Sequence, residues 1–273
     1  MTAQPFRIAG DPETLFGPNF SPVVRIEVKE VLTNFPKIEC PFIRRYYKAD
    51  KEQLRHFLST HKMRLNYDGL LYLITPEINP GYEWVFEDRD TFATEKLDGT
   101  NIKIMVKDKR IAIVQNRSNP PIDLFRIDID NSRYIEGLSF AISRKYIKDD
   151  GEYAGELLGP KVQNNPYKLT THEWYPFDVA ISSLRFTAFD KHTLYDRSFS
   201  SLSVWFKDYL RSLYYVKRHK EVKMVDSIFA EGVVFYNLKR KAANLWPWMA
   251  KMRRDMFRWY YDGVTIASEP EIK

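Results

Sequence analysis

The chain predicts an α+β fold, in which helices and strands do not alternate regularly. From about residue 82 the sequence consists mostly of short segments in which apolar and polar residues alternate between turn residues, a pattern typical of strands. Two other segments, one after Asp50 and one from Ser201 to Leu213, place apolar residues at helical spacing, and the second is expected to pack on the sheet. A doubly wound parallel sheet would require regular strand and helix alternation, which the sequence lacks.

The first 81 residues form an N-terminal extension whose role the sequence does not define. It begins rich in proline and glycine and then predicts a helix that starts at Asp50 and buries Leu54, Phe57 and Leu58 on one face. We expect this extension to pack against the main domain, residues 82–273.

The first hairpin of the main domain surrounds the four-residue loop Lys107–Arg110, with an alternating apolar strand on either side. If Val106 pairs with Ile111, the same register pairs Thr100 with Arg117. Arg117 would then lie beside the turn that precedes the first strand of the hairpin.

The composition is that of a globular protein without structural disulfides or membrane spans. The chain has 273 residues and 44% hydrophobic content, enough for one large domain or two small ones. Its one cysteine, Cys40, excludes an intrachain disulfide, and neither a signal peptide nor an apolar run of about 20 residues is present. We therefore expect a cytoplasmic protein that does not enter a membrane and needs no obligate protein partner.

The net charge of +6 favours a polyanionic partner, although a membrane surface would suit the same sign.

A lysine in the tight turn Lys96-Leu97-Asp98-Gly99 is the first candidate for a reactive group. A lysine amine attacks an electrophile only when neutral, so a nucleophilic lysine needs a lowered pKa. Gly99 lets the backbone approach a ligand closely, and Glu95 and Asp98 could orient the amine or hold a cation. An ordinary surface turn that leads into a strand explains the same residues, so this short motif does not decide alone.

Further segments downstream of Lys96 carry charged or aromatic side chains in a definite order. They centre on Arg117, Glu156, Phe177, Glu231, Lys251 and Arg253. The last two stand at alternate positions, hence on one face of a strand. Taken singly, all of these residues have plain explanations as surface ion pairs, solvated carboxylates or core aromatics.

In this order the segments resemble the motif series of the covalent nucleotidyltransferases, which include ATP-dependent DNA ligases, RNA ligases and GTP-dependent capping enzymes. The chain most resembles the phage-type ATP-dependent RNA ligases related to the nick-sealing RNA ligase 2 class, over about residues 82–257. Asn101 supports this subgroup, because DNA ligases and capping enzymes usually have arginine there. The segment at 155–163, Gly-Glu-Leu-Leu-Gly-Pro-Lys-Val-Gln, supports it as well.

The resemblance implies an antiparallel-sheet nucleotidyltransferase (adenylation) domain over residues 82–273, with ATP in a groove between sheets. It implies that Lys96 becomes adenylylated and that Lys251 and Arg253 bind the phosphates as further catalytic groups. Glu231 would bind a divalent metal, Mg²⁺ or Mn²⁺, since both prefer oxygen ligands. The resemblance also implies that Arg117 contacts the phosphate or ribose of ATP and that Glu156 contacts the ribose hydroxyl. Phe177, or alternatively Phe189, would stack on adenine. The remaining implied ATP contacts are Glu95, Asp98 and Asn101.

The implied activity is ATP-dependent RNA ligation through a lysyl-AMP intermediate, a reaction of RNA repair. AMP would pass from the lysine to an RNA 5′-phosphate, and a 3′-hydroxyl would then displace AMP and seal the strand. The implied partner is RNA with such ends, in the host cytoplasm if the protein is of bacteriophage origin. Two features depart from the pattern: Arg253 stands where lysine is often found, and only 16 residues follow Phe257, so we expect no separate C-terminal domain.

The sequence leaves two alternatives open. A DNA ligase or a capping-type nucleotidyltransferase could use the same scaffold, although Asn101 argues against both. A non-catalytic RNA-binding module is supported by the basic charge and the aromatic content, but such a protein would be expected to have lost charged motif side chains. A nicked duplex, a single-stranded end and a broken transfer RNA are all open as substrates.

Overall fold

The fold is described from a computed structural model, which places residues 32, 38–61, 69–116, 120–124, 130–190, 196–241 and 247–271. The chain forms two compact units, one built around residues 98–183 and one that contains residues 36–97 and 184–273. Both contain helices and antiparallel strands, so the α+β class is confirmed. No helix in the described part of the chain is long and apolar enough to cross a membrane.

The strands are β1 (Phe42–Lys48), β2 (Leu70–Ile78), β3 (Phe92–Lys96), β4 (Thr100–Lys107), β5 (Arg110–Asn116), β6 (Gly151–Leu158), β7 (Glu173–Pro176), β8 (Gly232–Lys241) and β9 (Pro247–Arg253). The helices are α1 (Lys51–Thr60), α2 (Trp84–Glu87), α3 (Ser132–Ser143), α4 (Phe177–Ser183), α5 (Phe199–Val204) and α6 (Leu213–Arg218). A π-helical turn, Trp205–Tyr209, follows α5 directly.

In the unit of residues 36–97 and 184–273, β3, β8 and β9 form an antiparallel sheet with β8 in the centre. One face of this sheet is apolar core, where the fully buried residues are Ala93, Val233, Phe235, Ala250 and Met252. Apolar side chains of α5 and the π-helical turn belong to the same core. Because side chains alternate along a strand, the residues between these positions face the other way and are free to carry polar groups.

The same unit contains the two-stranded sheet of β1 and β2, on which α1 packs. The helix predicted after Asp50 is confirmed. Asp50 caps α1 by accepting hydrogen bonds from the backbone N–H groups of Glu52 and Gln53, and the predicted apolar face is buried. Residues 38–61 and 69–81 of the predicted N-terminal extension thus share a compact unit with the C-terminal part of the chain, whereas Leu32 belongs to the unit of residues 98–183. The division of the chain at residue 82 stays a prediction.

The other unit carries a four-stranded antiparallel sheet in the order β5-β4-β6-β7. Its core joins Ile102, Ile104 and Val106 of β4 to Tyr134 and Leu138 of α3. The opposite face of this sheet is mixed, because Met105, Ala112 and Ile113 form a small apolar cluster there with Leu32, while Asn101 and Lys103 add polar groups.

The hairpin of β4 and β5 is confirmed, but its loop is two residues long where four were predicted. Lys107 pairs with Arg110, which leaves Asp108 and Lys109 as the loop. Both loop residues have positive φ angles, 50° and 57°. Such a turn matches the right-handed twist of the flanking strands, and this is why the strands pair up to the loop.

The register of this hairpin also differs from the expectation. Val106 pairs with Ile111, as predicted, but a β-bulge follows and Ile102 pairs with Asn116. The unbroken register that placed Arg117 beside the first turn is therefore wrong. Arg117 itself lies outside the described residues.

The helix predicted for residues 201–213 is broken into two in the structure. Helix α5 begins earlier, after the capping residue Ser198, and continues into the π-helical turn. The helical path ends at Leu210, and α6 starts anew after Ser212, whose hydroxyl accepts a hydrogen bond from the N–H of Tyr215. The serine cap competes with continuation of the first helix, which apolar spacing alone does not reveal.

Candidate active site

Lys96 ends β3 on the sheet face opposite the apolar core. It pairs with Gly232 of β8, and Gly232 pairs in turn with Arg253 of β9. Directly paired residues of antiparallel strands point to the same face. Lys96, Gly232 and Arg253 therefore lie side by side in a row across β3, β8 and β9, with the glycine in the middle. The Lys96 side chain is 22% exposed, so a ligand has access to it.

Glu231, immediately before β8, contacts the amine of Lys96 through Oε2. Its Oε1 lies 4.0 Å from Nη1 of Arg253, and its backbone oxygen accepts a hydrogen bond from the N–H of Arg254 at 2.9 Å. One carboxylate thus lies between two cations. This arrangement compensates the charges in a partly buried setting, where each alone would be costly.

Gly232 lets β8 and β9 approach closely at the centre of this row. A Cβ atom on Gly232 would lie 2.1 Å from the backbone oxygen of Met252 and 2.8 Å from the Cα of Arg253. Backbone atoms cannot turn aside as a flexible side chain can. A larger residue at position 232 would therefore push β9 away and displace Arg253.

Lys251 stands two residues before Arg253 on β9 and faces the same side, as the alternation predicts. Both residues are half-buried, whereas the residues next to Lys251 and Arg253 within the strand, Ala250 and Met252, are fully buried in the core. Lys96, Lys251 and Arg253 therefore lie on the same face of the sheet.

Asp255 is a second carboxylate at this site and is not among the residues predicted from the sequence. It follows β9 in a short 3₁₀ turn, and its Oδ1 lies 3.0 Å from Nε of Arg253. Burial raises the pKa of Asp255, while the charge of Arg253 lowers it; the charges of Glu231 and Lys96 act on it as well. The sequence does contain a feature that points to Asp255. This residue stands two positions after Arg253 and so continues the alternation of charged residues along the strand.

Glu231 and Asp255 offer carboxylate oxygens that suit Mg²⁺ or Mn²⁺. Within the described residues, no three His, Cys, Asp or Glu side chains form a cluster that could hold a metal ion. Mg²⁺ at nucleotide sites commonly uses one or two carboxylates and the substrate phosphates. The donor set therefore fits a metal that binds together with phosphate oxygens.

Glu95 faces away from the amine of Lys96, contrary to the expectation that it orients the amine or holds a cation there. Its carboxylate is buried and accepts hydrogen bonds from the Ser212 hydroxyl at 2.5 Å and from the Tyr214 N–H at 2.7 Å. Burial raises the pKa of Glu95 from 4.5 to about 7. Neighbours in a strand point to opposite faces, so Glu95 ties β3 to the start of α6 behind the sheet.

The turn at Asp98 and Gly99 is held against β6 of its own unit. The N–H of Asp98 donates a hydrogen bond to the Tyr167 hydroxyl at 2.8 Å. A Cβ atom on Gly99 would lie 2.4 Å from the backbone oxygen of Leu157. Packing of the turn therefore requires glycine here, whether or not a ligand approaches.

Asn101 and Glu156 are direct partners across β4 and β6, so their side chains share one face of the sheet. Glu156 is 8% exposed and pairs on its other side with Tyr175 of β7. Oδ1 of Asn101 is buried and accepts no hydrogen bond from the described residues. A buried acceptor in that condition is costly, and a ligand that donates to it would remove the cost.

Of the two aromatic residues considered for base stacking, Phe177 is the accessible one. It starts α4 directly after β7 and is half-buried. Phe189 is 1% exposed and lies in the core of the other unit, where it packs on Trp205 and Phe235. A ring enclosed in this way has no free face for a base.

The structure brings one group of predicted site residues to a single sheet face, namely Lys96, Glu231, Lys251 and Arg253. The other unit contains Asp98, Asn101, Glu156 and Phe177. Glu95 lies on the far side of its strand, and the position of Arg117 stays a prediction.

Similarity to known proteins identifies the family. The sequence profile of the RNA ligase family matches residues 89–252, more than half of the chain. This span includes Lys96, Glu156, Glu231 and Lys251. No curated protein matches the sequence.

Solved structures of Naegleria gruberi RNA ligase are similar at low identity. The structure with PPi is 18% identical, with a TM-score of 0.39, over 82% of this chain and 58% of that chain. A glutamate-to-alanine mutant with ATP and Mn is 17% identical, with a TM-score of 0.40, over 85% of this chain and 60% of that chain. This chain thus spans about 60% of the length of these structures. On the match of the family profile to more than half of its residues, the chain belongs to the RNA ligase family.

Proposed function

We propose that the chain is an ATP-dependent RNA ligase that works through a lysyl-AMP intermediate on Lys96. The observation that carries the proposal is the row of Lys96, Gly232 and Arg253, with the Glu231 carboxylate against the amine. This row offers a nucleophile, a cation for phosphate and a carboxylate for a metal on one sheet face. Membership of the RNA ligase family supplies the reaction class.

In the first step, the neutral Nζ of Lys96 attacks the α-phosphorus of ATP. A nitrogen–phosphorus bond forms, the bond to the β-phosphate oxygen breaks, and pyrophosphate leaves with the electron pair. The ammonium group of Lys96 loses one proton to solvent before it attacks, and the nitrogen loses a second proton to solvent as the nitrogen–phosphorus bond forms. Its contact with Glu231 therefore has to separate when the nucleotide binds.

Charge neutralisation at the phosphates is assigned to Lys251 and Arg253. Phosphoryl-type transfer depends mainly on positioning and on electrostatic stabilisation of the phosphate oxygens. Oδ1 of Asp255 lies 3.0 Å from Nε of Arg253, and this ion pair attracts the guanidinium toward Asp255. Mg²⁺ or Mn²⁺, held by Glu231, would supply further neutralisation.

Recognition of the nucleoside is assigned to Asn101, Glu156 and Phe177. Glu156 binds a ribose hydroxyl, and the buried Oδ1 of Asn101 accepts a hydrogen bond from the nucleotide. Phe177 stacks on adenine, because it is half-buried and Phe189 is enclosed. Asp98 and Arg117 are further proposed nucleotide contacts. Glu95 acts only by fixing β3.

In the second step, a 5′-phosphate oxygen of RNA attacks the phosphorus of lysyl-AMP. The nitrogen–phosphorus bond breaks, Lys96 recovers its amine, and the RNA carries a 5′-5′ linked AMP. In the third step, the 3′-hydroxyl of a second RNA end attacks the 5′-phosphate, loses its proton and displaces AMP. The product is a phosphodiester bond, as RNA repair requires.

The proposal is tested by incubating the protein with Mg²⁺ and ATP labelled at the α-phosphate, then measuring label on the denatured protein. Wild type is expected to take label and to release it when pyrophosphate is added back. Lys96→Ala is expected to take none. Lys239→Ala is the matched control, because Lys239 belongs to β8 but its side chain is 74% exposed. Equal labelling of Lys96→Ala and wild type would refute the proposal.

Two further measurements distinguish an RNA ligase from a capping-type enzyme and from a DNA ligase. Label from GTP in place of ATP would indicate a capping-type enzyme. Joining of nicked DNA but not of RNA ends would indicate a DNA ligase. A chain that binds RNA and takes no label from either nucleotide would be a non-catalytic RNA-binding module.

A further inference from the structure

Phe229 lies between two arginine side chains next to the proposed site. The Cζ atom of Arg211 is 3.7 Å from the centroid of the Phe229 ring, and that of Arg254 is 3.8 Å from it. Only one guanidinium fits over a ring face at such a distance, so the two groups lie on opposite faces. We name Arg211, Phe229 and Arg254 the Arg–Phe–Arg cluster.

Backbone carbonyls hold both guanidinium groups in place. Nε of Arg254 donates to the oxygen of Phe206 at 2.8 Å, and Nη2 donates to that of Lys207 at 3.2 Å. Both acceptors belong to the π-helical turn. Such turns are rare and often occur at functional sites. Nη1 of Arg211 donates to the oxygen of Ser227 at 3.1 Å. The cluster is therefore preorganised by the fold.

Within the part of the chain that the structure describes, no direct ion pair neutralises the positive charge of the cluster. Among the described residues, no carboxylate oxygen lies within 4.0 Å of a nitrogen of Arg211 or Arg254. Burial lowers the pKa of Arg254, and the charge of Arg211 lowers it further, whereas Tyr260 and Asp208 raise it. Two cations on either side of one ring, with no carboxylate of the described residues in direct contact with either, favour binding of an anion at the edge of the ring.

The surroundings of the cluster suit a polyanion that also carries flat rings. Residues 207–223 contain six lysine or arginine residues and two acidic ones. Tyr209, two residues before Arg211, is 61% exposed. Exposed aromatic rings beside arginines are the usual means of binding single-stranded nucleic acid without sequence preference.

The cluster adjoins the Lys96 site through the backbone. The N–H of Arg254 donates to the oxygen of Glu231 at 2.9 Å, and Arg254 directly follows Arg253. Phe229 precedes Glu231 by two residues. A strand bound at the cluster would thus be held by the same segments that carry two proposed catalytic-site residues.

We propose that the Arg–Phe–Arg cluster binds a backbone phosphate of the RNA strand to be joined and that Tyr209 stacks on a neighbouring base. This inference rests on the proposed function, because it names where that reaction takes its RNA substrate. It assigns the phosphate to the two guanidinium groups and the base to the exposed ring.

The test measures binding of a 5′-phosphorylated single-stranded RNA at several salt concentrations by fluorescence anisotropy. Arg211→Ala is expected to raise Kd about 10-fold and to reduce the slope of log K against log salt by about one. Tyr209→Ala is expected to raise Kd about 10-fold with an unchanged slope, because stacking releases no counterion. Arg45→Ala, which removes an exposed arginine on β1 with an ion pair to Glu77, is expected to match wild type.

Thermal unfolding of each variant shows whether it is folded. If Arg211→Ala does not fold, the binding result for Tyr209→Ala decides the test. Wild-type Kd and salt slope in folded Arg211→Ala would overturn the inference, as would absence of RNA binding by wild type. Tighter binding of an acidic protein than of RNA would overturn it too. The ATP label on wild type is measured separately, so failure of the ligase proposal and failure of this inference are distinguished.

Discussion

Glu231 contacts the amine of Lys96 from the position immediately before β8, while Gly232, the next residue, pairs with Lys96 itself. The chain thus supplies the proposed nucleophile and its carboxylate partner from the ends of two adjacent strands. An amine in an ion pair is protonated and does not attack phosphorus. Separation of this contact is therefore part of the proposed activation.

Glu231→Gln is expected to lower the rate of lysyl-AMP formation by about 100-fold, a loss typical of removing one electrostatic contact at a reacting centre. The neutral amide binds a divalent metal poorly, so the Mg²⁺ concentration needed for half-maximal rate should rise. Both are read from labelling time courses over a Mg²⁺ titration. Glu77→Gln, which alters an exposed carboxylate, should behave as wild type. An unchanged Mg²⁺ requirement in Glu231→Gln would remove Glu231 as the metal ligand.

Asp255→Asn is expected to lower the labelling rate about 10-fold, because Asp255 is the ion-pair partner of the Arg253 guanidinium. If Asp255 acts only through Arg253, the double variant with Arg253→Ala should be no slower than Arg253→Ala alone. Losses that multiply in the double variant would show that Asp255 acts on the nucleotide or the metal directly.

Phe177→Ala is expected to raise KM for ATP about 10-fold with little change in kcat, since stacking on a base contributes about 1–3 kcal/mol. Phe177→Tyr keeps the ring and should restore KM. Phe189→Ala should instead lower the free energy of unfolding by about 3–5 kcal/mol, because its ring is part of the core. A higher KM in a folded Phe189→Ala, with wild-type KM in Phe177→Ala, would reverse the assignment.

Glu95→Gln is expected to change how stability depends on pH. Burial raises the pKa of Glu95 to about 7, so the folded chain holds this proton more tightly than the unfolded chain does. The resulting stability is fully present below about pH 4.5 and is lost as pH rises through 7. Urea unfolding should therefore show Glu95→Gln gaining about 3 kcal/mol relative to wild type between about pH 4.5 and pH 8. A pH-independent difference between the two proteins would contradict the shifted pKa.

The features that the sequence predicted well depend on local periodicity. The cap at Asp50 and the spacing of Leu54, Phe57 and Leu58 define α1, and the alternation of Lys251 and Arg253 defines their common face. The same alternation indicates that Glu95 and Lys96 face opposite sides. Because Glu95 is next to Lys96 in the sequence, it was expected to orient the Lys96 amine or hold a cation there. The Glu95 side chain points to the opposite face of β3 and cannot do so.

The features that the sequence did not predict depend on long-range packing. The run from Ile111 to Val114 is apolar on both faces, so it does not specify a register, and the bulge could not be foreseen. The contact of Glu95 with Ser212 joins residues that are 117 positions apart. The close approach at Gly232 likewise depends on the backbone of another strand.

Peptide mass spectrometry after incubation with ATP and Mg²⁺ shows which residue becomes adenylylated. We expect one AMP per chain, on the peptide that contains Lys96 and through an acid-labile bond, and no adduct in Lys96→Ala. An AMP adduct on any other residue, or an adduct that persists in Lys96→Ala, would contradict this prediction.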